Sequence, residues 1–182
     1  MKVLCTICAR RGSKGVPNKN VKEMVGKPLI ALSIQQALES NLFDKIVVST
    51  DSAEIKQIAK QYGAESWFSR PAELSRDDSP KIPVIKHALE ESEKKFNCKF
   101  NHLIDLDATS PLRNVEDIRK AYKIFLKDSF DNLITGTRSR KNPYYNMIEI
   151  KNGEIELSKK LKNTPVSRQL APQVFDMNAS IY

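Results

Sequence analysis

Short apolar runs alternate with stripes of helical period along the first two thirds of the chain. Residues 3–8 form an apolar run that stops at a polar loop, the mark of a short buried strand. The loop extends over 9–27, and Pro28 can open a helix because proline is tolerated at the first helical position. Ile30, Ile34, Ala37 and Leu38 then fall on one helix face. Residues 46–50 predict a second strand, and Asp51 or Ser52 can cap the helix after it. Ile55, Ile58, Ala59 and Tyr62 mark that helix, and Gly63 suits its stop. A strand is expected at 64–68 and a polar loop with Pro71 and Pro80 at 69–81. Pro83 lies near the start of a helix carrying Ile82, Ile85, Leu89 and Phe96. A strand at 103–106 runs into a loop. The stripe Val115, Ile118, Ala121, Tyr122 and Phe125 gives another helix, and 132–137 a further strand. Strands alternating with helices of these lengths imply an α/β fold with a mainly parallel sheet covered on both faces.

The pattern then changes. Residues 144–151 and 154–158 are strand-like and flank Asn152-Gly153, the preferred pair for a two-residue type I′ turn. This β-hairpin needs cover for its apolar face, from a partner subunit or from the parent domain. A loop at 159–172 follows, and 174–182 predict a return to the sheet. The chain shows no internal repeat and no low-complexity linker, so one domain over 1–182 is expected.

Composition narrows the classes. The 182 residues are 40 % hydrophobic and 29 % charged, ordinary for a soluble domain. No apolar run approaches the roughly 20 residues of a membrane helix, and the N-terminus lacks a signal-peptide pattern. The expectation is cytoplasmic, with no membrane partner. The net charge of +8 fits either a nucleic-acid surface or a site for a small anion. Dense cationic segments occur only at 10–19 and 138–141, without interleaved aromatics, which argues against nucleic acid. Cys5 and Cys8 have C-x-x-C spacing, but an offset of three along a strand puts them on opposite faces. No second pair completes a zinc site, so they read as structural thiols.

Ligands of open parallel sheets bind beyond the strand carboxyl ends. Three loops there carry chemistry. The first is Ala9-Arg10-Arg11-Gly12-Ser13-Lys14-Gly15-Val16-Pro17-Asn18-Lys19-Asn20. Glycines let backbone amides approach a phosphate and cations neutralise it, although the pattern is neither Walker A nor G-x-G-x-x-G. A flexible basic loop is the alternative. The second is Asp105-Leu106-Asp107-Ala108-Thr109-Ser110-Pro111-Leu112-Arg113. Carboxylates at a strand end suit Mg2+, and a spacing of two lets Asp105 and Asp107 share a face; capping of the next turn is the alternative. The third, Arg70 to Ser75, says little by itself.

Taken together these segments resemble the acylneuraminate cytidylyltransferase family, the CMP-nonulosonic acid synthetases. The resemblance rests on the first loop, Gly26-Lys27-Pro28-Leu29, Val48-Ser49-Thr50-Asp51, Arg70-Pro71-Ala72-Glu73-Leu74, Thr109-Ser110-Pro111-Leu112-Arg113 and Asn178-Ala179-Ser180-Ile181-Tyr182, in family order. It implies a Rossmann-like sheet of the nucleotide-diphospho-sugar transferase type. The hairpin, about 140–172, corresponds to a dimerisation arm, which favours a partner subunit and a homodimer. It implies transfer of CMP from CTP to an acidic sugar with release of pyrophosphate, and Mg2+ as cofactor. Arg10, Lys14 and Lys19 would hold the CTP phosphates and act catalytically, with Gly12, Ser13 and Asn20 nearby. Arg70 would approach the cytosine and Lys81 would contact the nucleotide. Thr109, Arg168, Gln169 and Asn178 match positions toward the acceptor sugar. His87 and His102 are expected to be structural, and no general base is identified.

Three departures qualify the match. Arg11 replaces a usual glycine. Asp107 stands where many members have glutamine, so it would contact the sugar or ligate metal. Residues 105–110, 142–146 and 176–178 look more like members using bacterial nonulosonates such as legionaminic acid than like those using N-acetylneuraminate. Members also continue beyond Tyr182 with an Asp-x-Asp metal motif and a closing helix, so a fragment, a truncated chain or a degenerate gene product is expected. The alternatives are a truncated, non-catalytic CTP-binding and dimerising module, and a Kdo cytidylyltransferase, whose first loop differs.

Overall fold

The computed structural model describes residues 1–13, 15–127 and 130–182. Its elements follow the apolar pattern. β1 is Val3–Cys8; β2 (Glu23–Met24) and β3 (Lys27–Pro28) form a small antiparallel ribbon; α1 is Leu29–Ser40 and β4 is Lys45–Ser49. α2 (Ala53–Gln61), α3 (Lys81–Phe96), β5 (His102–Asp105) and α4 (Val115–Phe125) complete the first part. The second part holds β6 (Gly136–Arg138), β7 (Ile148–Lys151), β8 (Glu154–Leu157) and β9 (Phe175–Met177). Two compact units result: Met1–Ile134 with Ala179–Tyr182, and Thr135–Asn178.

In the first unit β4, β1 and β5 form a parallel sheet in that order, with β1 central. Alternation along β1 divides the core. Val3, Cys5 and Ile7 pack with Ile30 and Ile34 of α1, Ile55 of α2 and Ile118 of α4. Leu4 joins Val47, Phe68 and Ala88 of α3 in a second cluster. Helices therefore cover both faces, which is the expected α/β arrangement, and Cys5 faces away from the side that Leu4 occupies. A side chain that misses this core shows where periodicity overreached: Leu38 is 42 % exposed and Ile82 is 71 % exposed.

Helix starts obey local chemistry. The Ser52 hydroxyl accepts from the Ile55 amide at the head of α2. Asn114 and Asp117 form a reciprocal capping box at α4, which the stripe alone did not indicate. Pro28 and Pro80 sit at the cap positions of α1 and α3.

Three expected strands are reduced. At 64–68 only Glu65 bridges, parallel to Val47. The strand at 132–137 begins instead at Gly136 and belongs to the second unit. The expected return over 174–182 splits in two. Phe175–Met177 pairs with β6, whereas Ile181 makes one antiparallel bridge to Leu106. Ala179, at φ 53°, breaks the extended run between them.

In the second unit β7 and β8 pair as expected, with Asn152 at φ 54° and Gly153 at φ 84° in the turn. Among the described residues no helix is long and apolar enough to cross a membrane.

Candidate active site

β1, β4 and β5 end at Cys8, Ser49 and Asp105, and the loops beyond them enclose a cleft of about 540 Å3. Arg10, Ser13, Lys19 and Asn20 of the first loop line it, with Arg70, Lys81, Asp107 and Thr109. Eight of the residues singled out from the sequence thus meet in one place. Lys14 lies outside the described residues.

The first loop is shaped by its own chain. The Ala9 amide donates to the Ser49 carbonyl at 3.0 Å and the Arg11 amide to Asp51 Oδ1 at 2.8 Å. Asn18, at φ 54°, turns the chain, and the amides of Val21 and Lys22 donate to its carbonyl. Asn20 is buried; its Nδ2 donates to the Arg10 carbonyl at 3.1 Å, and its carbonyl accepts from the Ile30 amide. Asn20 therefore braces the loop that presents Arg10. A Cβ at Gly12 would meet nothing within 4 Å, so the loop itself does not require glycine there. Arg10 pairs with Asp77, which also lines the cleft.

Arg70 is buried rather than a surface arginine. Its Nε donates to Ser49 Oγ at 3.1 Å and its Nη2 to the Ser49 carbonyl. Burial pulls its pKa below the ordinary arginine value, partly offset by the negative charges of Asp51 and Asp105. The guanidinium is fixed in the cleft wall by the end of β4.

Lys81, the first residue of α3, reaches back to the end of β5. Its Nζ lies 2.9 Å from Asp105 Oδ2 and 3.1 Å from Asp107 Oδ2, and 4.2 Å from the centre of the Tyr182 ring. The two carboxylates do share a face. Burial acts against the ammonium, but Asp105 and then Asp107 outweigh it, and the Lys81 pKa is raised. Burial likewise acts against the Asp107 charge; hydrogen bonds from Thr109 and the Lys81 charge prevail and its pKa is lowered. Asp107 Oδ1 accepts from the Thr109 amide at 2.8 Å and the Thr109 hydroxyl at 2.6 Å.

These contacts bear on magnesium. Both Asp107 oxygens are engaged, and a lysine ammonium lies where a cation between the two carboxylates would lie. No group of three or more His, Cys, Asp or Glu that could hold a metal occurs among the described residues. This donor set fits an ammonium and not a protein-held Mg2+.

Arg113 ties the floor together. Its Nη1 donates to the carbonyls of Ser180 (2.6 Å) and Asp107 (3.3 Å), and its Nη2 to Ser33 Oγ and Gln36 Oε1, both at 2.9 Å. The sequence reading gave no role to Arg113, Asp77 or the Tyr182 ring. Asp105 was read there, with Asp107, as a carboxylate suited to Mg2+ or to capping the next turn. His87 packs edge-on against Phe68 and His102 bonds the Tyr122 hydroxyl, both in structural settings.

Arg168, Gln169 and Asn178 belong to the second unit. Arg168 and Gln169 line a depression of about 320 Å3 there with Arg138, Ser139 and Asn142. Asn178 Oδ1 accepts from the Thr135 hydroxyl at 2.7 Å.

The cytidylyltransferase family profile matches residues 4–169. Post-translational flagellin modification protein B of Campylobacter coli is 52 % identical over 180 residues, 99 % of this chain and 76 % of that protein. CMP-N,N'-diacetyllegionaminic acid synthase of Campylobacter jejuni is 51 % identical over the same shares. CMP:2-keto-3-deoxy-manno-octonic acid synthetase complexed with CTP has a similar fold, with a TM-score of 0.65 at 18 % identity, over 100 % of this chain and 74 % of that one. By that profile over most of its length and by these relatives, the chain belongs to the cytidylyltransferase family.

Proposed function

We propose that the protein transfers CMP from CTP to the anomeric hydroxyl of an acidic nonulosonic sugar and releases pyrophosphate. The carrying observation is the convergence of Arg10, Lys19 and Lys81 on one cleft at the strand ends. Three cations there suit a triphosphate, and the cleft volume lies in the usual range for small ligands. The relative named as a diacetyllegionaminic acid synthase supports a sugar of that class.

The sugar oxygen bonds to the α-phosphorus as the bond from that phosphorus to the β-bridging oxygen breaks. The hydroxyl proton passes to solvent. Such a displacement needs alignment and neutralised charge more than covalent help. Arg10 and Lys19 offset charge on the departing pyrophosphate, and Arg70, locked by Ser49, faces the base. CTP-using cytidylyltransferases generally require a divalent metal. Mg2+ would be held chiefly by the nucleotide phosphates and would supply charge neutralisation there; Asp107 serves Lys81 and the sugar side. Arg168, Gln169 and Asn178 serve the acceptor.

A homodimer and a cytoplasmic location belong to this reading. Ile148, Ile150 and Ile155 of the hairpin are 62–76 % exposed and lie on one face through the pairs Ile150–Ile155 and Ile148–Leu157, a surface that suits a second copy.

The test is pyrophosphate release from CTP, with UTP as control, over a panel of nonulosonic acids and Kdo. Turnover with one nonulosonate supports the reading. CTP binding without turnover would leave a binding module, and turnover with Kdo alone would change the acceptor.

A further inference from the structure

Asp105 is a fully buried carboxylate at the end of a strand. An ion in that setting costs several kcal/mol unless it is paired and hydrogen-bonded. Its neighbours meet that demand unequally, with a hydrogen bond at Oδ1 and an ion pair alone at Oδ2. Thr6 lies directly opposite Asp105 in the pairing of β1 with β5, and its hydroxyl donates to Oδ1 at 2.7 Å. The Cys8 thiol at the end of β1 is pushed up in pKa, first by its burial and then by the nearby Asp105 charge. The backbone of Asp105 is held at both polar atoms by Tyr182, through N–H to carbonyl contacts of 3.0 and 3.1 Å. The remaining oxygen, Oδ2, faces the Lys81 ammonium at 2.9 Å.

Lys81 is the mobile partner of this set. Its side chain is 31 % exposed and has four rotatable bonds, and it emerges from another element, the first turn of α3. Left alone such a side chain samples many rotamers. Here its head rests on the Asp105 carboxylate and over the Tyr182 ring, while Asp107 approaches from the loop. Asp105 is fixed by the sheet and Asp107 by a turn, so the sheet residue is the stiffer anchor.

We infer that Asp105 is a positioning residue for nucleotide binding: anchored on Thr6, it holds the Lys81 ammonium at the cleft wall where that charge meets the CTP phosphates. The inference rests on the proposed use of CTP and goes further by giving a role to a residue that no nucleotide can touch. Asp105 acts wholly through Lys81. Substitutions at the two positions therefore report one interaction and do not add.

The experiment is a double-mutant cycle read by calorimetric CTP binding. Asp105→Asn keeps the shape and can still accept from Thr6, but it removes the charge. It is expected to weaken CTP binding about tenfold, as is Lys81→Met. The double variant Asp105→Asn/Lys81→Met should bind within about twofold of Lys81→Met alone. Losses that multiply in the double variant, or wild-type affinity in Asp105→Asn, would overturn the inference.

Lys81→Met strands a buried charge and can fail to fold, so a second readout uses the unaltered lysine. Acetylation of Lys81 by acetic anhydride, followed by mass spectrometry, should be about tenfold faster in Asp105→Asn than in the parent. Equal rates would overturn the clamp. Both readouts are free of sugar. If the parent binds CTP and turns over no sugar, the transfer reading fails and Asp105 keeps its role; if the parent binds no CTP, the nucleotide reading itself fails.

Discussion

The guanidinium of Arg10 is paired with the carboxylate of Asp77 inside the cleft that both residues line. Asp77 sits in a loop stitched by Ser79, whose hydroxyl accepts from the Arg76 amide and donates to the Glu73 carbonyl. A carboxylate thus stands where a phosphate of CTP is expected.

Asp77 should therefore compete with nucleotide. Both side chains are partly exposed, at 29 % and 42 %, so solvent screens the pair and the competition is modest. Asp77→Asn is expected to tighten CTP binding by about two- to fivefold, with the gain shrinking at high salt. Calorimetric titration at two ionic strengths checks this; weaker binding would mean that Asp77 helps to shape the site.

Arg10 and Lys19 are expected to matter far more for turnover than for folding. Arg10→Ala and Lys19→Ala should each lower kcat/KM by about 100-fold, the usual cost of removing a group that offsets transition-state charge. Thermal denaturation should be unchanged within a few degrees. Near-normal turnover from either variant would remove that residue from the chemistry.

Arg113 carries the opposite expectation. It is buried, and its loss removes the hydrogen bonds it gives to the Ser180 carbonyl, Ser33 Oγ and Gln36 Oε1. Arg113→Ala should cost about 3 kcal/mol of stability. Urea unfolding measures it, and a loss under about 1 kcal/mol would show that water replaces the guanidinium without penalty.

Val25 is held at φ 53° in the β2–β3 turn while 90 % exposed. A β-branched residue is strained there and gains no burial in return. Val25→Asn should stabilise the protein by about 1 kcal/mol and raise Tm by about 3 °C. An unchanged Tm would mean that the turn relaxes to accommodate valine.

Periodicity revealed the parts of the fold in which one residue type suffices. Ile30, Ile34 and Ala37 are buried as a stripe, and the run from Val3 is a strand, because burial of apolar side chains decides both. It failed where backbone pairing decides. Residues 174–182 look extended, yet Ala179 turns left-handed and divides them between two units. The site was legible where loops carry several charged or small residues in series, as from Arg10 to Asn20. The clamp on Lys81 was not, because its parts come from β1, β5, α3 and the last residue, and no local pattern links Thr6 to Tyr182. Asp77 was hidden for the same reason, as an ordinary acid in a polar loop.

The contacts of Arg113 also set a timetable. Its guanidinium joins Ser33, 80 positions earlier, to Ser180, 67 positions later. Contacts this distant in sequence form slowly, since long loops must close before anything is gained. On the ribosome, the first strands and helices can collapse while the floor of the cleft still waits for the segment that brings Ser180. For that interval the chain has its sheet but not the finished floor of its cleft, and apolar surface exposed in such an intermediate favours association between chains.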